Sequence, residues 1–438
     1  MFLLYPALLA LLLLNTAVVT DAYGQADDSS LVNSFGLVPS VYSLMRAEAI
    51  TASGGLGGDS LFYNPASLSS GKTSIGLAGL GTNMATNDEI LQALEAEGSQ
   101  NTIEKALRTI DLDRPAYASV SSRLLDINIP YFAMVGFTQV SAESRNPASR
   151  VDENYKLDAK ADLGASIGLA LSYNKLSLGI SHYIIRRASV SMLLTQAQMQ
   201  SFRDAYLSNS VNETTLPFNE ISSVNSGGAI GYNYGLQYRF FENNLTALGI
   251  AVLNAGSTSF KSQIPYRYAP YEKQEKKISD SAENYGITLA QPEKLPEIMN
   301  IGFATGFGGG ADDIFKAEFS VDYNDVQNNV LNNNLAFSAE IGIDIPDRIA
   351  LLTSIPMFES DSNTYHIGLR KLAISGGIRP KSYQSYGGTV GLHLGVNHAF
   401  SFIFIDVTGY QSRLLQSENE TPMTLKGVSV NVGLTFIL

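Results

Sequence analysis

Apolar and polar residues alternate along most of the chain from residue 72 onward, and the alternation is clearest at the C-terminal end. There, Val428, Val430 and Val432 alternate with Ser429 and Asn431. Side chains of a β-strand point to opposite faces in turn, so a period of two predicts a strand with one apolar and one polar face. The same pattern recurs in segments 230–238, 315–323, 335–343 and 390–396.

The length of these segments indicates which kind of β-protein the chain forms. A soluble sandwich shows similar stripes, but repeated segments of roughly ten residues have the length that a tilted strand needs to cross a membrane. We therefore predict an all-β fold, an antiparallel transmembrane β-barrel of about 14–16 strands. The barrel is expected to cover residues 72–438.

The connections between the predicted strands alternate between short and long. Short ones are expected near 130, 174–175, 242–244, 308–312, 345–346 and 397–398, and longer polar ones over 85–114, 142–161, 188–224, 261–293 and 411–424. Outer-membrane barrels have short periplasmic turns and long external loops, so both termini are expected in the periplasm. A tight turn at Arg370-Lys371 keeps the strand number even, at about sixteen.

Two of the long loops show apolar residues at helical spacing. Residues 87–110 carry Ile90, Leu91 and Leu94 on one predicted face, and residues 195–206 show a similar pattern. Such helices either bind a partner or pack on the rim of the barrel, and the second interpretation is the simpler one.

The amino-acid composition excludes several classes of function. The 438 residues include no cysteine, which excludes disulfides, thiolate metal sites and a cysteine nucleophile, and the net charge of -12 argues against nucleic acid. The four histidines are scattered outside any catalytic or metal-binding motif. We therefore expect no enzyme, no catalytic or metal site and no cofactor.

The first residues have the features of a targeting segment. Residues 2–14 are continuously apolar, a run that is too short for a membrane helix and right for a signal peptide. Small residues follow, and we expect a signal peptide over residues 1–24 with cleavage after Gly24. A signal peptide before a barrel predicts the outer membrane of a Gram-negative-type cell, with outer-membrane lipid as a partner.

Residues 25–71 show no strand pattern and are rich in serine, alanine and glycine. They end in Leu61-Phe62-Tyr63-Asn64-Pro65-Ala66-Ser67-Leu68. Pro65 fixes its own φ and disfavours a helical Asn64, so the sequence predicts a rigid bend. Asn64 can donate and accept hydrogen bonds inside a barrel, and Ala66 allows close approach of the backbone. On these residues alone, a plain turn into the first strand is the simpler interpretation.

The small-residue stretch, the Asn-Pro-Ala bend and the following barrel resemble the FadL-type superfamily of outer-membrane barrels. That group includes long-chain fatty acid transporters, PorV-type secretion proteins and a family named after TraF. Weaker similarities are Leu248 to Gly256 and Leu295-Pro296-Glu297. The resemblance implies a roughly fourteen-stranded barrel with an N-terminal hatch, here over residues 25–71, and hydrophobic cargo that leaves through the wall. The helical insertion after the first strand is more similar to the TraF-named group.

Two sets of predicted interior residues bear on the cargo. If Asp406 faces the interior, so do Phe402 and Phe404, which then either contact a hydrophobic ligand or pack against the hatch. Interior charges either form a constriction or pair with one another and with the hatch. They are expected at Arg239, Lys316, Glu318, Asp322, Glu340 and Asp406.

The sequence therefore favours a plugged barrel that transports hydrophobic small molecules, such as fatty acids, across the outer membrane. The alternative is a non-transporting barrel that acts as a scaffold for secretion or conjugation proteins. A water-filled porin is the third hypothesis.

Overall fold

The computed structural model describes the barrel and the segment that precedes it. The described residues are 40–53, 57–70, 74–86, 116–145, 154–195, 221–241, 245–260, 266–269, 274–277, 294–308, 314–326, 334–345, 355–360, 363–380, 383–396, 399–414 and 423–437. The predicted signal peptide and the predicted loop helices at 87–110 and 196–206 lie outside these residues, as does the hatch prediction for 25–39.

Nearly all of the described residues belong to β-strands. The first eight are β1 (Ser74–Thr86), β2 (Ala116–Ile129), β3 (Phe132–Arg145), β4 (Asn154–Tyr173), β5 (Leu176–Thr195), β6 (Ile221–Arg239), β7 (Ala247–Leu253) and β8 (Thr258–Ser259). The next six are β9 (Tyr266–Ala269), β10 (Gln274–Lys277), β11 (Lys294–Leu295), β12 (Ile298–Phe307), β13 (Phe315–Tyr323) and β14 (Leu335–Asp344). The last five are β15 (Ile355–Ser360), β16 (Asn363–Arg379), β17 (Tyr383–Val396), β18 (Ala399–Leu414) and β19 (Met423–Ile437).

The long strands form one antiparallel sheet that closes on itself. Its order is β14-β13-β12-β7-β6-β5-β4-β3-β2-β1-β19-β18-β17-β16-β15, and β14 also pairs with β16. Within the described residues, fourteen strands therefore form a closed barrel, which confirms the predicted fold class. Two-residue turns join β2 to β3 and β4 to β5, with Tyr131 and Asn174 in the left-handed region that such turns require.

The strand next to β16 is interrupted, and here two predictions from the sequence are wrong. The first part of β16, Asn363 to Ile367, pairs with β15, and its later part, Lys371 to Ile378, pairs with β14. Because β14 and β15 are both antiparallel to β16, they run in the same direction and are not joined as the hairpin predicted at 345–346. β16 does not turn at Arg370-Lys371 either, where it has only a register shift against β17.

The two faces of the barrel differ as the alternation predicts. On β19, Val428 is 46% exposed and Val432 is 44% exposed, whereas Ser429 is 1% exposed. On β13, Phe319 points outward and Glu318 and Asp322 are buried. The exposed apolar side chains form the lipid-facing surface of a membrane barrel. Separately, none of the helices in the described part of the chain has the length and hydropathy to cross a bilayer.

The residues before β1 form short helical turns. Ser40 and Ser43 cap the helix Val41–Met45 reciprocally, with each side chain accepting from the other's backbone N–H. The turns Gly57–Asp59, Ser60–Tyr63 and Pro65–Ser70 follow. Residues 41–53 and 57–70, here called the inner segment, are largely buried. They contact strands right round the closed sheet, so they lie inside the barrel.

Candidate functional site

The bend at Asn64-Pro65-Ala66 lies against the inner wall at β5 and β6. Asn64 is completely buried, and its side-chain nitrogen donates to the carbonyl oxygens of Thr51 at 2.7 Å and Leu236 at 3.3 Å. Its side-chain oxygen accepts from the backbone N–H of Ala66 at 3.1 Å. Asn64 therefore joins two parts of the inner segment to each other and to β6.

Glycines in the wall allow this close approach. A Cβ added at Gly179 would collide with the backbone of Pro65 and Ala66. A Cβ added at Gly235 would collide with the side-chain oxygen of Asn64. These glycines are needed because the backbone of the inner segment occupies the space that any other side chain would fill.

The part of the inner segment at 57–70 packs on an apolar region of the wall, here called the apolar side. The Phe62 ring meets Phe137 edge-to-face, with 5.4 Å between ring centroids. The wall residues of this cluster lie on β3, β4, β5 and β6, and they are Ala133, Val135, Phe137, Ala170, Tyr183, Ile185 and Ala229. The inner segment contributes Leu61, Phe62, Tyr63 and Leu68 from residues 57–70, and Tyr42, Met45 and Ile50 from residues 41–52 belong to the same cluster.

Hydrogen bonds add to this packing. Ser181 and Asn233 both donate to the carbonyl oxygen of Leu61, at 2.6 and 2.9 Å. The Tyr63 hydroxyl donates to the Ser43 hydroxyl at 2.7 Å, and burial raises the pKa of Tyr63 well above its ordinary value. Tyr63 therefore stays a neutral hydrogen-bond donor.

The part of the inner segment at 41–52 lies against a charged region of the wall on β13, β14 and β16, here called the charged side. Arg46 is completely buried and forms an ion pair with Glu318. Its guanidinium also donates to Ser338 at 3.1 Å and Ser320 at 2.7 Å. Burial by itself would lower the pKa of Arg46, but Glu318, Tyr42 and Glu340 together outweigh burial, so the pKa lies above its ordinary value.

More charges of the wall surround this ion pair. Lys316 lies 3.1 Å from Glu318 and 3.3 Å from Glu340, and Lys371 lies 3.9 Å from Glu340. Asp322 accepts from the backbone N–H of Thr51 at 2.6 Å. These wall charges contact one another and the inner segment.

Two further ion pairs join the inner segment to the wall. Glu48 pairs with Arg379 of β16, and the Arg379 guanidinium also donates to the carbonyl oxygen of Ala47 at 3.1 Å. Asp59 pairs with Arg123 of β2. Since buried ions need partners, these contacts fix where the segment can sit.

The structure brings together some of the charges predicted from the sequence and separates others. Lys316, Glu318, Asp322 and Glu340 lie on the charged side. Arg239 lies elsewhere, half-buried at the end of β6, and Asp406 on β18 accepts from Thr389 at 2.7 Å and from Asn431 at 3.1 Å.

Phe402 and Phe404 alternate with Ile403 and Ile405 on β18, which places them on the strand face of Asp406. Their side chains lie outside the described residues, so their contact with a ligand or with the hatch stays a prediction.

Sequence reasoning missed the charges of the inner segment itself, Arg46, Glu48 and Asp59, and the wall arginines that pair with Glu48 and Asp59. One feature of the sequence could have identified Arg46 and Glu48. Arg46 and Glu48 are the only charged residues between positions 40 and 58. A stretch that folds inside a barrel keeps such lone charges only if the wall supplies partners.

The site holds no constellation for metal binding. Within the described residues, no group of three or more histidine, aspartate or glutamate side chains is arranged to hold a metal ion. What the arrangement can do is hold a segment of chain inside the barrel, by ions on one side and by apolar packing on the other.

The chain is similar to several solved structures. It is 12% identical to a FadL homologue of Pseudomonas aeruginosa, with a TM-score of 0.46, over 92% of this chain and 99% of that one. It is 13% identical to the toluene transporter TodX of P. putida, with a TM-score of 0.39, over 90% of this chain and 98% of that one. The toluene transporter TbuX of Ralstonia pickettii is 12% identical, with a TM-score of 0.34, over 91% of this chain and 100% of that one.

The sequence matches no family model and no curated protein. The structures above include a FadL homologue, the type of barrel that the sequence resembles. With identities and TM-scores this low, the function of the chain has to be argued from its own residues.

Proposed function

We propose that this chain is an outer-membrane barrel that moves hydrophobic small molecules across the membrane, past an inner segment that acts as a hatch. The observation that carries the proposal is the difference between two regions of the inner wall of the barrel. The wall around Leu61 and Phe62 is apolar and aromatic, whereas the wall around Arg46 is charged.

The apolar side supports hydrophobic cargo because a hydrophobic molecule can replace the contacts that Leu61 and Phe62 make with the wall. Leu61 and Phe62 touch the wall mainly through van der Waals contacts, and burying a comparable apolar surface of a ligand would compensate for their displacement. A water-filled porin has a polar interior instead. The aromatic pair Phe62 and Phe137 suits an aromatic or long aliphatic molecule, and a fatty acid is one member of that class.

The charged side supports the role of the inner segment as a hatch. Arg46, Glu48 and Thr51 are held by the wall through ion pairs and a carboxylate, and Asp59 is held by Arg123, so these points can stay in place while the side chains of Leu61 and Phe62 move. On this proposal the hatch covers residues 25–71, Asn64-Pro65-Ala66 is its anchor to the wall, and both chain termini are periplasmic.

A scaffold for secretion or conjugation proteins is the second candidate, and the filled interior favours it over a porin. A scaffold does not need an open route, and a packed inner segment makes the barrel rigid. Its partners would be proteins rather than small molecules.

The test is uptake by liposomes that contain the purified barrel. Radiolabelled oleate and toluene are compared with glucose and with potassium ions, each against liposomes without protein. The proposal predicts uptake of one or both hydrophobic solutes above the protein-free background, with little glucose or ion flux. Uptake of neither class would favour the scaffold, and equal uptake of all solutes would favour a porin.

A further inference from the structure

The inner segment fills only part of the height of the barrel. The strand face of β5 that points inward carries, from the two-residue turn upward, Ser177, Gly179, Ser181, Tyr183, Ile185 and Arg187. The first three contact the inner segment. Tyr183 and Arg187 make the polar contacts of the upper half of this face, and they contact residues 254–260, which follow β7 and are here called the cover loop. The cover loop therefore forms a second layer above the inner segment, toward the end of the barrel that carries the long loops.

The side chain of Tyr183 and the β6 wall both make polar contacts to the cover loop. On β6, the side-chain oxygen of Asn233 accepts from the N–H of Asn254 at 2.9 Å, and the carbonyl oxygen of Tyr232 accepts from the N–H of Ala255 at 2.9 Å. The Tyr183 hydroxyl is hydrogen-bonded to the side-chain oxygen of Asn254 at 2.6 Å and to the Thr258 hydroxyl at 2.9 Å. All three residues are buried. Tyr183 is fixed in the wall, whereas Asn254 and Thr258 belong to the loop, so this hydroxyl joins the loop to the wall.

An aromatic ring makes the other contact. Phe260 is buried, and the Arg187 guanidinium lies over its ring at 4.7 Å from the centroid. Arg187 is itself held by both carboxylate oxygens of Asp162, at 2.7 and 2.9 Å. The wall therefore offers a prearranged cation for the ring of the loop to pack against.

The cover loop is supported from above by residues 294–297. The short strands β8 and β11 pair, Asn254 donates to the carbonyl oxygen of Pro296 at 3.0 Å, and Glu297 accepts from the N–H of Gly256 at 2.5 Å. These two stretches form a small unit whose strand pairing is separate from the barrel sheet. Such a unit can move as a whole without breaking the sheet of the barrel.

We propose that the cover loop is a gate of its own at the long-loop end of the barrel, and that the Tyr183 hydroxyl is its latch. The lumen is then closed in two layers, by the cover loop above and by the inner segment below. A solute that enters from the long-loop end has to displace the cover loop first. The identity of that solute rests on the proposed function, but the existence of the gate does not.

The test uses thiol reactivity, because the natural chain has no cysteine. Ile185 is completely buried and belongs to the same apolar cluster as Phe260. In an Ile185→Cys background, a water-soluble thiol reagent is applied to the folded barrel, and the rate of modification reports how often the cover loop opens. Adding Tyr183→Phe removes the latch but keeps the ring, and the rate should rise about tenfold for the loss of its hydrogen bonds.

Thr258→Val removes the hydroxyl from the loop side and should give a similar rise. Tyr232→Phe is the matched control, because Tyr232 lies on the outer face of the neighbouring β6. Unchanged rates of thiol modification in both latch variants would overturn the proposal, and so would an equal rise of that rate in the control.

The proposal would also be overturned if the thiol of Ile185→Cys alone reacted as fast as that of Ser257→Cys, at the exposed tip of the loop. A failure of solute uptake would count only against the transport proposal, since no transport enters this measurement.

Discussion

The charged side and the apolar side of the barrel hold the same inner segment by different forces. On the charged side, Arg46 and Glu48 are tied to Glu318 and Arg379 by buried ion pairs. On the apolar side, Leu61, Phe62 and the Asn64-Pro65-Ala66 bend are held mainly by ring packing and by close approach to wall glycines, and Asp59 adds an ion pair with Arg123. Ion pairs between buried groups are directional and costly to break, whereas apolar contacts can be exchanged for contacts with a guest. The charged side therefore fixes the position of the inner segment, and on the proposed function the apolar side is where a guest molecule takes the place of Leu61 and Phe62.

The largest effect is expected from Glu318→Ala on the charged side. The change leaves Arg46 buried without its carboxylate, which should lower the free energy of unfolding by about 3–5 kcal/mol. Urea unfolding of the barrel refolded into lipid vesicles measures this loss.

The control is the double variant Arg46→Met with Glu318→Leu, which removes both charges and keeps the volume filled. It should recover most of the lost stability, because the cost arises from the orphaned charge rather than from the missing pair. A double variant as unstable as Glu318→Ala would show that the ion pair does not position the segment.

A smaller effect is expected from Gly235→Ala on the apolar side. The new methyl group would lie 2.8 Å from the backbone nitrogen of Ala66 and closer still to the Asn64 side chain. Overpacking of this kind costs about 1–3 kcal/mol, and the bend at Pro65 should move away from the wall. Limited proteolysis of the folded barrel, with cleavage mapped within residues 57–70, measures this displacement.

Gly228→Ala is the matched control on the same strand, because the nearest atom to its added methyl group would be 3.9 Å away. It should leave the proteolysis pattern unchanged. Equal cleavage in both variants would mean that β6 is weakened as a whole and that Gly235 makes no special room for the bend.

Asn64→Ala tests the joint between the two sides. Asn64 bonds to Thr51 of the inner segment and to Leu236 of the wall, so its loss should cost about 1–3 kcal/mol. The fourteen strands pair with one another and should stay folded, while the permeability of the barrel changes. Conductance in planar bilayers, with heat-modifiable gel migration as the check on folding, measures both. An unfolded barrel, or a folded one with unaltered conductance, would contradict the role of Asn64 as an anchor.

Local patterns of the sequence predicted much of the fold but little of the site. Val428 to Val432 and Phe315 to Tyr323 could be assigned to strands, and their faces to lipid or interior, because strand periodicity is a property of neighbouring residues. The pairing of Arg46 with Glu318 could not be predicted, since 272 positions separate the two. Only closure of the barrel brings them together.

The wrong turn at Arg370-Lys371 follows from the wrong turn at 345–346. A reversal at 345–346 would add a strand, and the even strand number of a barrel then requires a second turn. In the structure β14 and β15 run in the same direction, and the described strands close a barrel of fourteen without either turn. β16 continues through both basic residues, with Arg370 3.6 Å from Asp344 and Lys371 3.9 Å from Glu340.

The smallest effect on stability is expected from Phe62→Leu, and it separates the two sides by function. Leucine keeps most of the apolar volume but removes the edge-to-face contact with Phe137, which should cost only about 0.5–1.5 kcal/mol. The ion pairs of Arg46 and Glu48 are untouched, so the inner segment should stay in the barrel and ion conductance should stay near its original value. If hydrophobic solutes exchange with the ring of Phe62, toluene and oleate uptake into liposomes should change several-fold while glucose and potassium flux do not. The matched control is Phe319→Leu, which makes the same substitution on the exposed outer face of β13 and should change none of the four fluxes.

An equal change in the fluxes of toluene, oleate, glucose and potassium would mean that Phe62→Leu loosens the hatch as a whole. If the original barrel transports toluene or oleate and Phe62→Leu leaves that uptake unchanged, the apolar side serves only to pack the inner segment against the wall.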